Sequence, residues 1–280
     1  MSRSHAIFVR LMIVFFFISL AACAPAAASP TPVAPSPAPK AATLTVMAAA
    51  SLTVPLNELG RQFEAQHPNV KVEFSFAGSQ QLAQQLSSAA PADVFASASQ
   101  KYLDAAVSAK RVDAGAVKNF VSNRLVMIVP AGNPAGLKQL GDLSRPGLKL
   151  ILAAKAVPVG QYALDFLDKA VKDPAYGSTY KDQVLKNVVS YEDNVKSVLT
   201  KVQLGEADAG IVYTTDAAGD AAAKVIQIAI PDALNVIALY PIAPITNSAN
   251  PSLANSFIDL VLSPSGQAVL AKYGFLPPPE

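Results

Sequence analysis

The stretch TLTVMAAASLTVPLNELGRQFE, residues 43–64, contains the unit from which this chain is built. Its first residues form an apolar, β-branched run that predicts a strand. Beyond Ser51 the apolar residues recur at helical spacing, and Pro55 lies in the first turn, where its missing N–H does least harm. Ser51 therefore lies at a strand-to-helix turn, where a serine can be a nucleophile, an anion ligand or a helix cap.

The same alternation of strand and helix continues along the chain. Further strands are predicted over 70–77, 92–98, 124–130, 148–154, 188–192, 209–213, 224–230 and 235–243. Helices are predicted over 51–68, 79–88, 100–110, 161–171, 194–207 and 251–263. Repeated β–α alternation predicts mostly parallel sheets flanked by helices. About ten strands are too many for one compact sheet with short connections, so the pattern favours two α/β lobes.

The N-terminus has the pattern of an export signal. Two basic residues, Arg3 and Arg10, precede an apolar run, LMIVFFFISL (11–20). This run is shorter than the roughly 20 residues that a permanent membrane-spanning helix needs. The next residues, LAAC (20–23), resemble the lipobox of bacterial lipoprotein signal peptides and contain the only cysteine of the chain. The resemblance implies that 1–22 is a signal peptide and that Cys23 is lipidated.

An Ala/Pro/Ser tract follows the cysteine, so that 23–42 is predicted to be an extended linker. The folded part is expected to begin near Thr43. Together these features predict an exported protein that is lipid-anchored to the cell membrane and faces the periplasm or the extracellular side.

The balance of charges argues against a nucleic-acid partner. Of 22 basic residues, Arg3 and Arg10 belong to the predicted signal peptide, which leaves 20 against 20 acidic residues. A mature chain with a net charge near zero lacks the basic footprint of a nucleic-acid-binding protein. No nucleic-acid partner is therefore expected.

The side chains needed for common catalysis are scarce, and no enzymatic activity is expected. After the predicted signal peptide the only histidine is His67, so neither an ordinary zinc site nor a Ser-His triad is expected. The S-x-x-K match STYK (178–181) lacks its companion motifs, and no glycine-rich phosphate loop is present. We expect no cofactor and no metal centre. Ser51 thus has no evident base, and a cap or an anion ligand remains.

Other residues share the position of Ser51. Ser79 also lies between a strand and a helix. Asn194 precedes a third predicted helix, and Gly160 begins a fourth. In α/β folds ligands bind beyond the carboxyl ends of the strands, and helix N-termini offer free N–H donors and partial positive charge. Capping explains each position alone, but the set predicts a cleft for an anion.

Seven segments together resemble the molybdate-binding proteins of bacterial ABC importers. They occur in family order and span nearly all of 43–276: TVMAAASLTVPLNELGRQFE (45–64), FSFAGSQQLAQQL (74–86), APADVFASASQKYLD (90–104), VPVGQYA (157–163), EDNVKSVLTKVQLGEADAGIVYTTDA (192–217), YPIA (240–243) and AVLAKYGF (268–275).

The resemblance implies a periplasmic-binding-protein-like fold with a bound oxyanion between two lobes. One lobe would comprise 43–123 plus 239–280 and the other 124–238, with hinges near 122–126 and 237–241. Ser51 and Ser79 would donate from the first lobe. In the second lobe, Val159 and Val195 would donate backbone N–H groups and Tyr213 its phenolic O–H.

The function implied is that of a substrate-binding lipoprotein. It would act as a monomer, capture molybdate or tungstate through neutral donors, and deliver the anion to the permease and ATPase of an ABC importer. Two alternatives remain open from the sequence: a binding protein for another oxyanion such as sulfate, and a sensing module that presents its closed form to a signalling receptor.

Overall fold

The structure, a computed structural model, describes residues 41–279. The predicted signal peptide, Cys23 and nearly all of the proline-rich linker lie outside the described residues. Within them, ten strands form two five-stranded sheets, and helices pack on both. The predicted α/β fold with two lobes is therefore confirmed.

The first sheet and its helices form what we call lobe I. Its strands are β1 (Ala42–Ala49), β2 (Val70–Ala77), β3 (Val94–Ala96), β4 (Lys118–Asn123) and β10 (Ala238–Pro244). They lie in the order β2-β1-β3-β10-β4. β1 is parallel to β2 and β3, whereas β10 is antiparallel to β3 and β4. Only β10 therefore runs against the other strands.

The second sheet, in lobe II, repeats this arrangement. Its strands are β5 (Leu125–Pro130), β6 (Leu150–Ala153), β7 (Val188–Glu192), β8 (Ala209–Tyr213) and β9 (Val225–Ala229). The order is β7-β6-β8-β5-β9, with β6 parallel to β7 and β8 and with β5 antiparallel to β8 and β9. The carboxyl ends of the parallel strands in each sheet are thus available for a ligand.

Eight helices cover the sheets in the described part of the chain. Lobe I has α1 (Thr53–Gln66), α2 (Ser79–Ser87), α3 (Gln100–Ser108), α7 (Pro251–Leu262) and α8 (Pro264–Lys272). Lobe II has α4 (Pro158–Ala170), α5 (Tyr180–Lys186) and α6 (Val195–Gln203). None of these helices is long and apolar enough to cross a membrane.

Local sequence explains where the helices lie and which face they bury. α4, α7 and α8 each begin at a proline, which has no N–H to lose in the first turn. In α1 the apolar residues Leu56, Leu59 and Phe63 are all buried, as their helical spacing predicts.

The chain crosses between the sheets twice, and Asn235 joins the two crossings. Only Arg124 separates β4 from β5, and the return from β9 to β10 runs through 230–237. The buried side-chain amide of Asn235 accepts from the Leu125 N–H at 2.9 Å and donates to the Leu125 carbonyl at 2.9 Å. The two crossings therefore lie side by side, and hinge motion about them stays a prediction.

Four elements differ from the sequence expectation. β4 was not predicted, because Lys118, Asn119, Ser122 and Asn123 make it polar, and it lies at the edge of its sheet. The short helix α5 and the separate helix α8 were also not predicted. The helix predicted over 161–171 begins at Pro158 instead, so the Pro-Val-Gly segment is its first turn rather than a loop.

Candidate oxyanion site

A small cavity lies where the two lobes meet. All five residues predicted to hold an oxyanion line it. The lining residues are mostly small and carry no ionisable group except one phenol: Ala49, Ala50, Ser51, Ala77, Gly78, Ser79, Ala98, Val157, Pro158, Val159, Asn194, Val195 and Tyr213. The structure thus brings together residues that are far apart in the chain.

Lobe I contributes two buried serines. Ser51 lies in a single 3-10 turn, Ala50–Leu52, between β1 and α1, and Ser79 is the first residue of α2. The Ser79 hydroxyl accepts a hydrogen bond from the Ala98 N–H at 3.0 Å. Since this bond uses an oxygen lone pair, the hydroxyl proton of Ser79 remains available to a ligand.

Ser51 has a partner that the sequence analysis did not identify. Its hydroxyl lies 2.9 Å from the hydroxyl of Tyr240, a fully buried residue of β10. Burial raises the pKa of the Tyr240 phenol, so that this hydroxyl stays protonated. When Tyr240 donates, the Ser51 proton is free to point at a ligand. A tyrosine in a strongly apolar strand needs a polar partner, and this was the available sequence signal.

Lobe II contributes two helix starts. Val159 is the second residue of α4, and Val195 is the first residue of α6. Backbone N–H groups in the first turn of a helix have no acceptor within the helix. The Asn194 side chain caps α6 by accepting from the Ser197 N–H at 3.0 Å, and this bond does not use the Val195 N–H. Each valine can therefore offer its backbone donor to a ligand.

Gly160 allows α4 to begin at the cavity. A side chain on Gly160 would put a Cβ 2.1 Å from the Ala154 carbonyl oxygen and 2.4 Å from that of Ala153. No real contact is that short, so the first turn of α4 approaches the end of β6 this closely only with glycine. The position of the Val159 N–H follows from this close approach.

Tyr213 supplies a buried hydroxyl to the cavity. It is the last residue of β8, its exposed fraction is 1%, and its Oη has no hydrogen-bond partner among residues 41–279. Burial raises the pKa of this phenol well above its ordinary value, so it remains a donor. A buried unpaired hydroxyl costs about 1–3 kcal/mol, so an acceptor in the cavity would be stabilising.

The electrostatics of the cavity depend on dipoles rather than on a lining cation. α2, α4 and α6 all begin at it, and helix N-termini carry partial positive charge. An ion pair lies outside the lining, where Lys196 Nζ is 2.8 Å from the Asp216 carboxylate. Burial raises the pKa of Asp216, and Lys196 opposes that shift. This pair leaves little net charge near the site.

The described residues contain no cluster of three or more His, Cys, Asp or Glu side chains suited to a metal ion. His67 lies just after α1, where its Nδ1 is 2.9 Å from the Phe63 carbonyl oxygen. The cavity therefore offers hydrogen-bond donors and no metal ligands, which suits a small acceptor-rich anion.

Two α/β lobes with a buried, donor-lined cavity between them define a binding protein for a small solute. The chain matches the family model for bacterial extracellular solute-binding proteins over residues 44–276. It therefore belongs to that family, whose members are exported binding proteins rather than enzymes.

Among individual relatives, the chain is similar to proteins that bind molybdate. The chain is 39% identical to the molybdate-binding protein ModA of Mycobacterium bovis over 236 residues, which cover 84% of this chain and 85% of that one. The fold is similar to the periplasmic molybdate-binding protein of Azotobacter vinelandii, with a TM-score of 0.72 and 21% identity over 84% of this chain and 100% of that one.

The sulfate-binding protein SubI of Mycobacterium tuberculosis has a similar fold too. Its TM-score is 0.74 at 20% identity, over 84% of this chain and 87% of that one. The fold alone therefore does not separate molybdate from sulfate.

Proposed function

We propose that this chain is the substrate-binding component of an ABC importer for molybdate or tungstate, and that the cavity between its lobes holds the oxyanion. The observation that carries the proposal is the buried, unpartnered hydroxyl of Tyr213 in a cavity where three helices begin. The 39% identity to a ModA protein supports molybdate as the ligand.

The proposed ligand shell consists of neutral donors. Ser51 and Ser79 donate hydroxyl and backbone groups, Val159 and Val195 donate backbone N–H groups, and Tyr213 donates its phenol. Donors that are already fixed in a dry cavity replace the hydration shell of the anion without reorganising.

Such a shell selects among anions. A fully ionised oxyanion presents only acceptors, and these match donors on every side. A protonated phosphate brings a proton that has few acceptors to meet, so its binding is disfavoured. Molybdate and sulfate carry the same charge, and cavity size is the property that separates them.

The remaining features concern location and partners. The LAAC segment supports lipidation at Cys23 after removal of 1–22, and the proline-rich linker then holds a monomeric body close to the membrane. There the closed protein delivers its anion to the permease and ATPase of the importer.

A calorimetric titration panel tests this function. Molybdate and tungstate are expected to bind with one site per chain, and sulfate and phosphate at least about tenfold more weakly, a difference of about 1.4 kcal/mol. Tighter binding of sulfate would assign the site to a different oxyanion. If none of the four anions bound, the proposed function would be wrong.

A further inference from the structure

We infer that Gln80, Tyr102 and Tyr162 form an interlobe latch that builds the anion site as the lobes close. They are positioning residues, since none of them lines the cavity. The inference rests on the proposed function and adds to it a set of residues that control how long the anion stays bound.

Each latch side chain crosses from one lobe to the other. Gln80 of α2 donates through Nε2 to the Asp193 carbonyl at 2.8 Å. Tyr102 of α3 donates to the carbonyl of Ala156. In the opposite direction, Tyr162 of α4 donates to the Ala98 carbonyl at 3.3 Å. The three bonds together join α2, α3 and the segment before α3 in lobe I to α4 and to the segments that precede α4 and α6 in lobe II.

Two acceptors of the latch lie next to proposed anion donors. Asp193 comes two residues before Val195, and Ala156 comes three residues before Val159. When lobe I holds these two carbonyls, it also fixes the loops that orient the two N–H groups. The bonds from Gln80 and Tyr102 therefore position the lobe II half of the ligand shell.

The third acceptor acts on lobe I. Ala98 accepts from Tyr162 through its carbonyl and donates through its N–H to the Ser79 hydroxyl at 3.0 Å. A side chain of lobe II thus holds the residue that orients a serine of lobe I. Two consecutive hydrogen bonds thus connect Tyr162 to Ala98 and Ala98 to Ser79. Closure of the lobes therefore also orients the hydroxyl proton of Ser79.

Gly78 is the steric counterpart of the latch. Its φ is −62°, which any residue can adopt, so backbone freedom does not require glycine there. A Cβ on Gly78 would instead lie 2.4 Å from the side-chain amide of Gln80 and 2.6 Å from the Asp193 carbonyl oxygen of the other lobe. The absent side chain therefore leaves room both for the Gln80 amide and for lobe II, so that Gln80 can reach Asp193.

The latch is tested by dissociation kinetics of bound molybdate, followed by stopped-flow tyrosine fluorescence. The chain has no tryptophan, so tyrosine carries the signal. Tyr102→Phe and Tyr162→Phe each remove one neutral hydrogen bond, which should speed dissociation roughly 2- to 12-fold. The association rate should not fall, because encounter occurs with the open cleft. Tyr176→Phe, at a residue that packs on Tyr180, is the matched control with wild-type rates.

Gly78→Ala should weaken molybdate binding, but Gly78 also lines the cavity, so this variant supports the latch only together with the two tyrosine variants, whose side chains lie outside the lining. Gly132→Ala should bind as the wild type does, since a Cβ at Gly132 meets no atom within 4 Å. The melting temperature of each ligand-free variant separates a latch from general destabilisation, since the loss of one interlobe hydrogen bond should lower it by no more than about 6 °C. Wild-type dissociation rates in the Tyr102→Phe/Tyr162→Phe double variant would overturn the latch.

Failure of the proposed function has a different signature, because the wild type itself would then bind no anion. In that case small-angle scattering of the ligand-free proteins decides the latch. A larger radius of gyration for Gly78→Ala and for the double variant than for the wild type supports it, and equal radii overturn it.

Discussion

Replacing Tyr213 with phenylalanine should weaken anion binding and leave the stability of the ligand-free protein close to that of the wild type. The substitution keeps the buried ring and its edge-on packing against Tyr240, with centroids 5.9 Å apart. It removes only the hydroxyl, which has no partner within the described residues. Loss of a hydrogen bond to a charged group is worth about 1.5–3 kcal/mol, or roughly 10- to 150-fold in Kd.

The effect on stability should be small. In the ligand-free protein the cleft is free to open and water can satisfy this hydroxyl, so its removal neither creates nor relieves a large penalty. For a chain of this size each kcal/mol shifts Tm by about 2–4 °C, so a Tm within about 4 °C of the wild-type value is expected. Calorimetric titration with molybdate and thermal unfolding without ligand measure the two effects on the same sample.

Tyr180→Phe is the matched control. Tyr180 is equally buried, but its hydroxyl donates to the Leu140 carbonyl at 2.5 Å and it does not line the cavity. This variant should lose stability and keep wild-type affinity. If Tyr213→Phe bound molybdate as well as the wild type did, the phenol would not be an anion ligand.

Four further predictions concern the donors and the anchor. Ser79→Ala should weaken molybdate binding by roughly 10- to 150-fold in calorimetry, and by less where water replaces the hydroxyl; an unchanged Kd would remove Ser79 from the shell. Val159→Ala should bind nearly as the wild type does because the N–H survives, whereas Val159→Pro should bind much more weakly because it deletes that donor; equal affinities for the two folded variants would contradict this role. The affinity should be flat from about pH 7 to about pH 9, because burial raises the pKa of Tyr213 and the donor is lost only as pH rises through that raised value; a fall in affinity within that pH range would show that a group other than the Tyr213 phenol controls binding. Cys23→Ala should move the protein from the detergent phase to the aqueous phase in detergent partitioning, and a wild-type protein already in the aqueous phase would exclude the anchor.

Local sequence patterns predicted most of the strands and helices and the turns between them. Ser51 and Ser79 follow strands that alternate or run apolar, and each precedes a periodic helix, so their position at the carboxyl edge of a sheet could be predicted. The five proposed ligand residues were predicted from the family resemblance, and the structure places all five around one cavity.

Features that depend on distant contacts could not be predicted in this way. The Ser51–Tyr240 bond joins residues 189 positions apart, and no local pattern encodes that pairing. β4 is stabilised by its pairing with β10 rather than by apolar periodicity, so its polar sequence concealed it. The start of α4 at Pro158 depends on the close approach of Gly160 to β6.

The hydrogen bonds between the lobes also depend on contacts between distant residues. Gln80, Tyr102 and Tyr162 all donate to backbone carbonyls, and any residue can supply a carbonyl. The sequence of the acceptor therefore contains no signal for the contact.

A crystal structure of the protein with tungstate, with anomalous differences recorded at a tungsten absorption edge, tests the proposed anion site most directly. One strong peak is expected in the cavity between the lobes, with oxygens within hydrogen-bond distance of Ser51, Ser79, Val159, Val195 and Tyr213. A peak elsewhere, or an empty cavity in crystals that bind tungstate, would contradict the proposed site.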